Sequence, residues 1–287
     1  MSPATQKPTP PRALDAAETE QRLREIRAYG YAVVPQFLAA TEVARLKTRV
    51  EQHWQAIAPA QLRGRPARDA EDRLVYNLQN KDLAFVQLLE DPFTQHVMGQ
   101  FLNDPYYRFL PPEEPNYILS YYNARSSGQA LDLHVDTYIP APGDRTWAMQ
   151  VVYLLDDMND DNGCTVAVPG SHLSGRYSDR SLARVVPIHA KAGDLVIWDS
   201  RLWHGTRANS SGRSRWALVA TFTCWWIKQN MDMTRSLPED IYRTLSDRQK
   251  AMLGFCSIPP RHEGERINTK TGYDALLPSV KDYYPER

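Results

Sequence analysis

Apolar residues recur along this chain with two periods, and the period changes near residue 106. Upstream the spacing is helical. Val43, Leu46, Val50, Trp54 and Ile57 fall at intervals of three and four, so a helix from Thr41 carries one apolar stripe and covers a sheet. Asp15 is placed to cap an earlier helix that runs to about Tyr29 and ends at Gly30. Residues 31–37 read as a short strand, with Pro35 marking an edge or an end. Residues 59–73, with Pro59, Pro66 and many charges, break the helical pattern and read as a surface loop, a mobile lid being the functional alternative. Residues 74–78 predict a strand, and 81–102 one or two helices interrupted at Pro92.

Downstream the pattern is that of strands. Residues 107–110, 116–122, 133–138, 147–155, 165–168, 184–188, 194–198 and 215–223 make eight β segments, separated by turn formers such as Pro111-Pro112, Asn162-Gly163 and Ser211-Gly212. Eight strands after a helical lead-in predict a mainly β fold with flanking helices, a double-sheet jelly roll whose core spans about 106–223. Helices are expected again at 238–245 and 247–253, before a polar tail. With no internal repeat and no second boundary, residues 15–287 are expected to form one domain behind a disordered, proline-rich tail of residues 1–14.

Composition narrows the function classes. Lys plus Arg and Asp plus Glu are equal at 34 each, so no overall field favours nucleic acid or an anionic membrane. No 18-residue apolar run is present, and the first fifteen residues lack the apolar core of a signal sequence. Cys164, Cys224 and Cys256 form neither an even framework nor a CxxC pair, so reduced thiols in a cytoplasmic setting are expected.

The candidate chemistry gathers around Leu133-His134-Val135-Asp136-Thr137. In an extended segment His134 and Asp136 share one face, with Val135 turned away. His204 comes 68 residues after Asp136, far enough to return on a neighbouring strand. Two imidazoles and one carboxylate on one side of a metal leave positions open, as non-haem Fe(II) oxygenases require, and the absence of cysteine from the set argues against zinc. Arg215, eleven residues past His204, opens an apolar run, where a guanidinium suits a dicarboxylate co-substrate. The bland alternative for these residues is hydrogen-bonded core histidines and a surface-turn arginine.

His134-x-Asp136, Asn162-Gly163-Cys164, Pro169-Gly170-Ser171-His172, Gly193-Asp194 through His204, and Arg215 occur in series, and over residues 115–225 this series resembles the phytanoyl-CoA dioxygenase-like branch of the Fe(II)/2-oxoglutarate oxygenases. The resemblance implies a double-stranded β-helix, Fe(II) held by His134, Asp136 and His204, and 2-oxoglutarate held by Arg215 with Thr206 adding a hydroxyl. It also implies that Tyr117 touches 2-oxoglutarate, that Tyr121 and Asn123 touch substrate, and that His172 is structural. Plain aromatic strand packing is the alternative for that strand. Gln150 is a further candidate contact from 147–155. The implied reaction consumes 2-oxoglutarate and O₂ and oxidises an unactivated C–H bond of a small molecule. Asp136 fills the position that related halogenases leave to a small residue, so halogenation is not expected. A small-molecule tailoring oxygenase is the favoured class. An acyl-CoA hydroxylase, for which Arg63, Arg65, Arg68 and Arg73 would supply a phosphate groove, and a non-catalytic jelly-roll binding protein are the alternatives.

Overall fold

The computed structural model describes residues 8–62, 72–103, 115–126, 128–137, 139–176 and 184–258. Its frame is two antiparallel sheets. The larger has six strands in the order β1-β8-β5-β10-β3-β2 and the smaller has four, β4-β9-β6-β7. The strands are β1 (Tyr31–Val34), β2 (Arg73–Val75), β3 (Tyr117–Ser126), β4 (Leu131–His134), β5 (Ala148–Leu154), β6 (Thr165–Ala167), β7 (Val186–Ile188), β8 (Leu195–Asp199), β9 (His204–Thr206) and β10 (Trp216–Cys224). The long helices α1 (Ala16–Tyr29) and α2 (Ala40–Leu62) lead in, with α3 (Leu83–Leu88) and α4 (Pro92–Leu102) behind them, and α5 (Met233–Ser236), α6 (Glu239–Thr244) and α7 (Asp247–Met252) follow the last strand.

Strand alternation divides the interior in two. From β5, β8 and β10, the residues Met149, Val151, Tyr153, Leu195, Ile197, Trp216, Leu218, Ala220 and Phe222 face the helices, where they meet Val43, Leu46, Val50 and Trp54 of α2. The intervening residues Val152, Leu154, Val196, Trp198 and Ala217 face the small sheet and form a second apolar cluster with Cys164, Ala167 and Ile188. One face of the large sheet is thus sealed by helices, and the other looks into the space between the sheets, where a ligand can be held. The Trp54 and Trp216 rings meet edge to face at 6.2 Å, and the Trp216 indole N–H donates to Glu51. This anchors Trp216 on the helical side and turns its neighbour Arg215 toward the inter-sheet side.

The helix ends follow local chemistry. Asp15 accepts from the backbone of Glu18, and Gly30 adopts a left-handed φ of 87° to close α1. Asp91 caps α4 with Pro92 at its first position, so the interruption at Pro92 is the start of a second helix. Two departures from the sequence reading stand out. Helix α2 continues through Pro59 to Leu62, so the loop expected at 59–73 begins later; residues 63–71, and with them the lid question, lie outside the described residues. Residues 8–14, expected to be disordered, are pinned: Arg12 N–H donates to Phe37 O at 2.8 Å, its guanidinium pairs with Glu18, and Leu14 packs on the core. The expected strand at 107–110 also lies outside the described residues.

Candidate metal and co-substrate site

β4 and β9 are neighbours in the small sheet, and their pairing sets His134 opposite His204. The register slips between Leu131 and His134, where β4 carries one residue more than its partner, a bulge that re-aims the side chain beyond it. Gly205 lets the strands approach this closely, because a Cβ there would lie 2.5 Å from Leu131 O. The sequence reading carries β4 to residue 138, but the strand ends at His134 and Asp136 sits in the following turn. That turn is tied to the β8–β9 connection by the Asp136 N–H, which donates to Ser200 O at 2.9 Å. The connection is rigid: the buried Arg201 guanidinium binds the Asp199 carboxylate and the Gly143 carbonyl.

The two rings lie 4.4 Å apart. His134 Nε2 is 3.6 Å from Asp136 Oδ1, and His204 Nε2 is 3.4 Å from Asp136 Oδ2. Each Nδ1 faces a backbone carbonyl, that of Asp132 at 2.8 Å and that of Leu202 at 2.9 Å. A carbonyl only accepts, so each ring places an N–H on Nδ1 and turns Nε2 toward Asp136, the orientation in which Nε2 can serve a metal once it carries no proton. Burial alone would raise the Asp136 carboxyl, but His204 and His134 outweigh it and bring it down to about 2. The bond to Asp136 raises His134, whereas burial lowers His204. Asp136 is therefore a carboxylate throughout the physiological range. Three ligand atoms, two neutral nitrogens and one anionic oxygen, can hold one divalent ion on one side and leave its other side open.

A cavity of about 290 Å³ opens against these three residues, lined also by Tyr121, Arg125, Gln150, Trp198, Thr206, Arg215 and Thr221. Gln150 points at the carboxylate itself. Its amide donates to Asp136 Oδ2 at 2.9 Å and accepts from Thr221 Oγ1 at 2.7 Å, while the Trp198 indole lies 3.4 Å from the same carboxylate oxygen. Gln150, expected as a substrate contact, lines the cavity and also holds the Asp136 carboxylate. Arg215 is 6% exposed; burial first, and the charge of Arg125 second, pull its guanidinium down to about 10. Its Nε has no hydrogen-bond partner. A buried cation kept without an acid fits a site that receives an anion.

The strand at 117–126 splits the residues expected together. Tyr121 lines the cavity. Asn123 is fully buried on the same strand, where its side-chain carbonyl accepts from Asn77 N–H at 3.1 Å, and it does not line the cavity. Tyr117 lies on the opposite side. Its hydroxyl donates to Gln95 Oε1 at 2.7 Å, and its ring meets Phe222 in the helix-covered core. The cause is a register slip in the β3–β10 pairing: Tyr121 pairs with Thr221, yet Leu119 pairs with Phe222, so Ser120 is an extra residue that reverses the alternation. The contact between Tyr117 and 2-oxoglutarate is accordingly withdrawn. Thr221, Trp198 and Arg125 enter the site without having been singled out in the sequence; the inward face of β10, counted back from Thr221 to Arg215, was the signal for the first.

His172 packs into the α1–β1 turn with Nε2 3.2 Å from Arg27 O, away from the cavity. Asp160, Cys164 and His189 form a second group of ligand-type side chains among the described residues, but Arg207 already pairs with Asp160 at the surface.

The profile of the phytanoyl-CoA dioxygenase family matches residues 26–217. The chain belongs to this family. It is a dioxygenase, an Fe(II)- and 2-oxoglutarate-dependent enzyme, and the His-Asp-His set has the donor chemistry for that metal. Among curated relatives, "Dioxygenase af480" of Aspergillus fumigatus is 27% identical, over 83% of this chain and 78% of its own. Among solved structures, HygX from Streptomyces hygroscopicus with nickel and 2-oxoglutarate bound superposes with a TM-score of 0.60 at 17% identity, covering 76% of this chain and 90% of its own. SnoK, the α-ketoglutarate-dependent carbocyclase of nogalamycin biosynthesis, gives 0.56 at 19%, covering 76% and 87%. These two likenesses bear on the fold, an antiparallel, cupin-like pair of sheets with flanking helices. No helix among the described residues is long and apolar enough to cross a membrane.

Proposed function

We propose that this dioxygenase oxidises an unactivated C–H bond of a small molecule, as a tailoring step in secondary metabolism, at the centre formed by His134, Asp136 and His204. The observation that carries the reading is the convergence of two imidazole Nε2 atoms and one carboxylate in the same cavity as a buried guanidinium whose Nε has no partner. In this reading the three side chains hold Fe(II), and Arg215 with Thr206 takes the distal carboxylate of 2-oxoglutarate. Bound there, metal and co-substrate supply the oxidising power that amino-acid side chains lack. The chain's own residues do the positioning. Gln150, fixed by Thr221, holds Asp136 in one orientation. The Nδ1 hydrogen bonds stop both rings from turning. The apolar walls Val152, Ala217 and Val219 exclude water from the reacting face.

A cavity of about 290 Å³ falls just below the range for small-molecule sites, roughly 300–1,000 Å³, and suits a compact substrate. An acyl-CoA substrate is less well supported. Arg63, Arg65 and Arg68 lie outside the described residues, and the fourth candidate, Arg73, is buried with its guanidinium over the Trp54 ring. The named association of SnoK with nogalamycin biosynthesis favours a natural-product substrate. Succinate formation over a panel of natural-product precursors tests the proposal. A compound that accelerates succinate release and is itself oxidised supports it. Fe(II)-dependent succinate formation that no small molecule stimulates, but a protein or acyl-CoA does, refutes it.

A further inference from the structure

The cavity contains one arginine more than the co-substrate needs. Arg125 stands on β3 opposite Ala217 of β10, and Ala217 is two residues past Arg215, so both guanidinium groups reach the same space. The Nε of Arg125, like that of Arg215, is buried without a partner, and no acid pairs with Arg125 among the described residues. Three other buried or half-buried arginines do meet acids. Arg45 has Glu42, Arg201 has Asp199, and Arg22 has Glu25. Two adjacent cations without acids weaken each other, and the charge of Arg125 contributes to the depressed Arg215. Such an arrangement is sustained where anions bind.

The charges of the site's described lining show how many anions. Asp136 is its sole carboxylate, and the imidazoles are neutral in the ligand state. A divalent metal and a 2-oxoglutarate dianion cancel one another, Asp136 cancels one arginine, and one positive charge is left. Arg215, more buried and in the same lining as Thr206, is the natural partner of the co-substrate. Arg125 is half-buried, and its charge acts on Tyr121 of the same lining.

We infer that Arg125 is a substrate-recognition residue and that the substrate presents a free carboxylate, held by Arg125 while the C–H bond lies at the metal. The inference rests on the oxygenase reading above. One negative charge matches the surplus, and the planar fork of a guanidinium matches a carboxylate. The substrate is then a free acid rather than its thioester, amide or sugar.

The test uses the full-length protein with Fe(II) and 2-oxoglutarate, kept anaerobic in a buffer free of carboxylates. The probes are the pairs 3-phenylpropionate and 3-phenylpropionamide, and octanoate and octanamide, with binding followed by calorimetry. The wild type is expected to bind each acid at least about tenfold more tightly than its amide. Arg125→Gln should erase that preference and leave 2-oxoglutarate affinity within about threefold, and Arg125→Lys should restore part of it. Equal binding of acid and amide by the wild type, or a preference that survives in Arg125→Gln, overturns the inference. So does loss of 2-oxoglutarate affinity in Arg125→Gln as large as in an Arg215 variant, which would make Arg125 a second anchor for the co-substrate. Failure of the wild type to form the metal–2-oxoglutarate chelate, seen as the absence of its visible absorption band, sinks the oxygenase reading and the inference with it.

Discussion

Replacing Arg215 by Met separates a binding role from a structural one, because the two predict opposite changes in stability. The guanidinium is 6% exposed, its Nε is unpartnered, and its pKa is drawn from 12.5 to about 10, chiefly by burial. A fall of that size corresponds to roughly 3 kcal/mol of unfavourable charge burial in the ligand-free protein. Methionine fills similar space without the charge. The main chain is held independently, since Arg215 N–H donates to Ser126 Oγ at 2.8 Å and Trp216 is locked against Trp54. The ligand-free Arg215→Met protein should therefore melt a few degrees higher than wild type. The charge-assisted pair with a carboxylate is meanwhile lost, worth about 1.5–3 kcal/mol, so 2-oxoglutarate should bind roughly ten- to a hundredfold more weakly. Calorimetric titration of the Mn(II)-loaded protein with 2-oxoglutarate gives the second number and thermal melting the first. Unchanged co-substrate affinity would refute the assignment. Weaker binding with a lower melting temperature would show Arg215 to be a structural residue whose loss disturbs the site indirectly.

Gln150→Leu removes the amide that orients Asp136 and should lower metal affinity roughly ten- to a hundredfold with the fold intact; a metal titration that matches wild type would dismiss this role. Tyr117→Phe should cost about 1 kcal/mol of stability through the lost bond to Gln95 and leave 2-oxoglutarate affinity unchanged, so a weaker co-substrate complex would return Tyr117 to the site. Asp91 is buried, and burial raises its carboxyl from 3.8 to about 6 despite the bonds from Thr94 and Tyr153. A carboxyl raised on folding stabilises the native state below its unfolded pKa and loses that contribution as pH rises through the folded one. Asp91→Asn keeps the helix cap, so relative to wild type it should gain on the order of 2–3 kcal/mol in urea denaturation between pH about 4 and 7. A wild type that gains on the variant over the same window contradicts the raised pKa.

Much of the frame was legible because periodicity reports burial directly. The α2 stripe, the cap at Asp15, and seven of the expected strands from 116 onward follow from spacing and turn residues. The metal set was legible because His134 and His204 bracket a recurring series of turn residues. Two features hid the rest. A bulge has no strong sequence signal, so the extra Ser120 reversed one strand end and sent Tyr117 into the helical core while Tyr121 kept the cavity. Partner choice is also invisible in one dimension. Gln150 was placed on the inner face by alternation, but only the fold reveals that its neighbour there is Asp136. Arg125 escaped for a related reason, since an arginine near a turn looks solvated until the acids that would normally meet it prove to be elsewhere.

The most direct measurement of the central claim is the visible absorption of the anaerobic protein with Fe(II) and 2-oxoglutarate, wild type beside His134→Ala and Asp136→Ala. A charge-transfer band in the wild type that is absent from both variants is the predicted result. A band that persists in the variants would place the metal elsewhere, and a wild type without one would contradict the assignment of His134, Asp136 and His204 as the metal centre.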